Sequence, residues 1–127
     1  MITHGPPYQV LDQTSHGEYA GCQNLLEAGR RARPLLHAFG HIHEGWGMGR
    51  MKWSKGENES FEREYSATNI EGSEAFKYTD LTSTGPKPLQ WGMETAMVNS
   101  SIMNVRYKPV QKPWVIDIDL PVKEDKI

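Results

Sequence analysis

The chain has 127 residues, 24% of them charged, a formal net charge of −2 and a single cysteine. That length suits one domain or part of one, and the near-neutral charge gives no electrostatic footing for nucleic-acid or membrane binding. No intrachain disulfide can form, so a reducing, cytoplasmic compartment is the default expectation; no apolar run reaches the length of a membrane span, and the N-terminus does not read as a signal peptide.

Met1-Ile2-Thr3-His4 reads as the tail of a strand, ended by Gly5-Pro6-Pro7 because proline cannot donate to a ladder. Residues 8–20 are rich in turn formers and read as a surface loop. Over 22–33, Cys22, Leu25, Leu26, Gly29 and Ala32 recur near helical period, which predicts a helix. Arg30, Arg31 and Arg33 suit the carboxyl end of its dipole, and Pro34 stops it. Residues 35–39 follow as a short strand apolar on both faces, as expected of one covered on each side.

Residues 48–53 are compatible with another strand. Residues 54–74 carry Glu57, Glu59, Glu62, Glu64, Glu71 and Glu74 against few apolar anchors. A loop that long is unusual in a compact domain, so 49–93 is expected to be a mobile insertion with room for one hairpin. Order returns at 94–98, a buried strand. The last strand, 114–120, alternates: Trp114, Ile116, Ile118 and Leu120 face one way, with Asp117 and Asp119 on the other.

The chemistry concentrates in Gly40-His41-Ile42-His43-Glu44-Gly45, at the end of the strand 35–39. In extended backbone residues i and i+2 project to one side, so His41 and His43 are expected to present two imidazoles to one point. Neutral imidazole is the commonest metal ligand and suits Zn, Fe, Ni and Cu. His4 follows the first strand of the strand–helix–strand unit; if the two strands are parallel neighbours, all three imidazoles share one edge of the sheet. Other candidates have blander readings. His37 reads as a core histidine and His16 as a solvated loop residue. Glu44 is balanced between orienting a metal-bound histidine and lying on the surface. Asp117 and Asp119 read as a polar strand face, and Cys22 as buried. Gly45-Trp46-Gly47-Met48-Gly49 lacks the spacing of a nucleotide fingerprint.

Thr3-His4-Gly5-Pro6-Pro7, Gly21-Cys22 opening a helix, Arg33-Pro34 and the run from Leu36 to Gly45 resemble the calcineurin-like metallophosphoesterase superfamily, in its metallophosphoesterase-domain-containing branch. So do Glu94-Thr95-Ala96-Met97-Val98-Asn99-Ser100-Ser101-Ile102, Tyr107-Lys108-Pro109 and the stretch from Pro113 to Pro121. The resemblance covers residues 1–47 and 94–122 and fails between them. It implies an α/β, layered α+β fold, the C-terminal half of a four-layer αββα sandwich spanning 1–127. It further implies metal-dependent hydrolysis of phosphate esters, commonly phosphodiesters, at a two-metal centre holding Mn, Fe or Zn. By resemblance His4 and His41 bind one metal and His43 the other. The family's DxH, GD and GNH motifs do not precede His4, so the family's catalytic histidine has no counterpart here and a missing N-terminal half is the expected partner, alongside a small-molecule phosphate ester. The alternative is a catalytically inactive fragment that acts at most as a metal-binding or interaction module.

Overall fold

A computed structural model describes residues 1–55, 58–66 and 75–122. Its first regular element is helix α1, Gln23–Ala32. Cys22 precedes it in extended conformation, and Arg33 ends it in the left-handed region (φ 43°, ψ 57°), its N–H donating to Gly29 O at 2.7 Å. That closure satisfies one of the carbonyls a helix end leaves open, so the helix stops one residue before Pro34. Its buried face is narrow. A Cβ on Gly29 would lie 3.4 Å from Trp53 Cη2, so the small residue lets the helix rest on an indole ring. Cys22 is exposed rather than buried: as the residue before the helix it lies off the apolar stripe that packs.

The strands are β1 (Leu36–Phe39), β2 (Gly47–Lys52), β3 (Ser60–Ser66), β4 (Lys77–Asp80), β5 (Glu94–Asn99) and β6 (Trp114–Asp117). Four of them form a mixed sheet in the order β1-β5-β2-β3, with β1 parallel to β5 and the other pairs antiparallel. β4 and β6 form a separate parallel pair. β5 lies between β1 and β2, and every one of its residues is buried. Its alternation divides the interior. Met97 joins Val10, Leu11, Phe39, Met51 and Trp53 on the helix side, with Leu26 of α1 packed against them. Ala96 and Val98 join Met48, Leu81 and Leu89 on the opposite side, beneath Trp114 and Ile116 of β6. Trp46, fully buried, stacks on Trp114 with ring centroids 5.1 Å apart and donates from Nε1 to Lys112 O at 2.9 Å.

The described residues therefore make an α/β arrangement of three layers: helix, four-stranded sheet, two-stranded sheet. A fourth, helical layer is not among them. The stretch 49–93, expected as an insertion, carries most of β2 together with β3 and β4; residues 56–57 and 67–74 lie outside the described residues. β3 is the second arm of a hairpin with β2, and its glutamates have partners. Arg50, largely buried, meets Glu94 at 3.0 Å and Glu64 at 3.4 Å, so the acidic run neutralises a cation that would be costly to bury alone. Asp117 and Asp119 take the polar roles expected of them, accepting hydrogen bonds of 2.7 Å from Tyr78 Oη and Ser83 N.

Candidate metal-binding rim

Residues 1–3 lie beside β1 in parallel, through the Ile2–Ala38 bridge: Thr3 N donates to Ala38 O at 3.0 Å and Ala38 N to Met1 O at 3.1 Å. Gly40 N then donates to His4 O at 2.9 Å. The loop after the first segment and the loop after β1 are thus stitched together, and His4 reaches His41 with ring centroids 4.6 Å apart. The expected sharing of one sheet edge holds for this pair.

The route by which His41 arrives differs from the expectation. The strand ends at Phe39, and His41 has φ +69°. Ile42 N donates to Gly40 O at 2.8 Å, closing a three-residue γ-turn with His41 at its centre. Positive φ is costly for a residue with a Cβ. His43 then opens a single 3-10 turn, His43–Gly45. His41 and His43 are therefore not two like-facing residues of an extended strand. The physical reason lies in distant bonds: Asn99 Nδ2 donates to Ile42 O at 2.8 Å and to Leu11 O at 3.0 Å, which pulls Ile42 inward between the two histidines. Leu11 O comes so near that a Cβ on Gly45 would sit 1.9 Å from it.

His43 and His41 nevertheless line the same recess, of about 260 Å³, together with Glu44, Val105 and Tyr107. The His43 ring lies edge-on to Tyr107, centroids 5.3 Å apart, and its Nδ1 is 3.1 Å from Asn104 O. Glu44 serves the loop before the helix, its Oε1 accepting from Ser15 N at 3.2 Å. Its own backbone N–H and that of Ser15 hold the carboxyl below the usual carboxylate range. His16 is exposed. His37 is fully buried, and burial, aided by the terminal ammonium, pushes its pKa down to about 4. Its Nε2 lies 2.8 Å from Thr3 Oγ1. That hydroxyl gives its one proton to Gly5 O at 2.9 Å, so His37 Nε2 is the donor and Nδ1, unpartnered, carries the lone pair. It is a core histidine, as expected.

In kind, the donors fit a first-row transition metal: exposed or half-exposed imidazoles at the carboxyl ends of parallel segments. In number they fall short, since no group of three or more His, Cys, Asp or Glu among the described residues is arranged to hold an ion. Asn99, Asn104 and Gln111, which fix the histidine loops, were not singled out by sequence reasoning. An asparagine closing a wholly buried strand was the one available signal.

Two segments thus end in neighbouring imidazoles on one sheet edge, and the chain is similar over most of its length to metallophosphoesterase domain-containing proteins. Over 95% of its length it is 32% identical to metallophosphoesterase domain-containing protein 1 of Homo sapiens, and equally to that of Mus musculus. A UPF0046 protein of Caenorhabditis elegans is 46% identical over 48 residues, 37% of this chain and 12% of that one. The chain spans about a quarter of the length of the human and mouse relatives. No family model and no solved structure matches it.

Proposed function

We infer that the chain supplies His4, His41 and His43 to a two-metal phosphoesterase centre that hydrolyses phosphate esters, phosphodiesters foremost, with Mn, Fe or Zn as the metals. The observation that carries this reading is the His4–His41 pair at 4.6 Å, in a chain homologous over 95% of its length to a metallophosphoesterase-domain protein. Metals in such a centre polarise the phosphoryl oxygens and lower the pKa of a bound water. The residues of this chain do the holding. Neutral imidazoles offer lone pairs, the γ-turn aims His41 at His4, and the recess beside His43 leaves room for an ester. Further donors are needed to complete such a centre, since the described residues group no three ligands together.

A second reading, a module that binds one ion weakly and turns nothing over, is favoured by the lack of any three-ligand cluster among the described residues. Metal content by elemental analysis, with hydrolysis of bis(p-nitrophenyl) phosphate in added Mn²⁺, separates the two. Slow turnover abolished by His41→Ala supports the first. No turnover, and at most one loosely held ion, leaves the second.

A further inference from the structure

We propose that the turn at residues 104–108 locks His43 in its Nδ1–H tautomer, with Asn104 as the positioning residue; the link to metal binding rests on the reading above. A carbonyl oxygen only accepts, so the 3.1 Å contact to Asn104 O requires a proton on Nδ1 of the neutral ring. The lone pair then belongs to Nε2, to which no hydrogen bond is made among the described residues. Free neutral histidine favours the opposite tautomer, so the loop reverses an intrinsic preference. A ligating histidine whose other N–H is given to a backbone carbonyl is the arrangement that fixes ring orientation in metal sites.

The turn is built to hold that carbonyl still. Asn104 Oδ1 accepts from Arg106 N at 2.9 Å and Lys108 N at 3.1 Å. Asn104 N donates to Lys108 O, and Tyr107 N to Asn104 O, both at 2.9 Å. The Asn104 oxygen thus uses one lone pair for the turn and the other for His43. Tyr107 adopts φ +58°, 75% exposed, and lays its ring edge-on to the imidazole. At the far end of the loop Gln111 N donates to Ile102 O at 2.9 Å while its Nε2 donates to His43 O at 3.2 Å. One loop therefore holds the histidine by ring and by backbone.

The test is a long-range ¹H–¹⁵N correlation on the full chain with ¹⁵N-labelled histidine, at a pH where the imidazoles are neutral and without metal. The expected His43 pattern is that of Nδ1–H; an Nε2–H pattern overturns the proposal. Asn104→Ala removes the acceptor that organises the turn and is expected to give a tautomer mixture and about tenfold weaker Zn²⁺ binding. Asn104→Asp keeps an acceptor oxygen at the Oδ1 position and is expected to restore both the tautomer and the Zn²⁺ binding. Folding of each variant is read from near-ultraviolet circular dichroism. If folded Asn104→Ala keeps the wild-type pattern, Asn104 is not the positioning residue. If the pattern is Nδ1–H but Zn²⁺ moves no His43 signal, the lock stands and the metal-centre reading fails.

Discussion

Replacing His41 by glycine and, separately, by alanine isolates the cost of its backbone. Both changes remove the same imidazole, and with it the ring contact to His4 at 4.6 Å, so the difference between them is a backbone term. Holding a residue with a Cβ at φ +69° costs about 1–3 kcal/mol. Glycine adopts that angle freely but loses about 0.5–1 kcal/mol more than alanine in ordering the chain. The glycine variant is therefore expected to be the more stable, by about 1.2 kcal/mol at the centre of these ranges and at most about 2.5 kcal/mol, which for a chain of 127 residues is about 5 °C and at most about 9 °C in Tm. Urea and thermal melts of the two variants, followed by fluorescence, give the comparison directly. Both should lose Zn²⁺ binding at the His4 side. An alanine variant as stable as the glycine one, or more so, would refute the claim that the turn stores strain.

Other expectations concern stability and its pH dependence. His37 is neutral inside, with its pKa down at about 4, while the unfolded chain binds a proton there near 6.5. Stability is therefore full above about pH 6.5, falls as pH drops towards 4 and levels off below, by about 3 kcal/mol in all. His37→Phe should flatten that slope in urea midpoints, and an unchanged slope would count against the burial argument. Gly45→Ala puts a methyl group 1.9 Å from Leu11 O and should cost about 2–4 kcal/mol by chemical denaturation; a neutral result means the two loops are not in contact. Asn99→Ala leaves Leu11 O without its donor, at about 1–3 kcal/mol, and removes one of the two hydrogen bonds to Ile42 O, the other coming from Gly45 N. It should also weaken Zn²⁺ binding, because the turn between His41 and His43 loses its anchor, and unaltered binding would refute that coupling.

The elements legible in the sequence were those set by short-range pattern. The helix after Cys22 showed in its period and in Pro34, and β1 and β5 in their apolar runs. The parallel placement of residues 1–3 beside β1 followed from a strand–helix–strand unit. β3 was harder, because Phe61 and Tyr65 are spaced by charged residues that make sense only once Arg50 is known to be buried with Glu64 and Glu94. The site was legible in its residue types and illegible in its backbone. Nothing local to Gly40-His41-Ile42 announces a γ-turn; it depends on His4 O, Leu11 O and Asn99, none of which is nearby in sequence. Likewise Asn104 meets His43 across 61 positions, a reach no periodicity reports.

The stack of Trp46 on Trp114 makes the protein its own optical reporter. Trp46 directly follows the 3-10 turn that His43 opens, whereas Trp114 belongs to the small parallel pair, so the two indoles couple only while that pair stays seated. An exciton couplet in the far-ultraviolet, lost ahead of the helix signal on heating, would reveal the small pair lifting away first, and mixing Zn²⁺ with the chain while watching the same band would show whether a ligand at the rim is felt there.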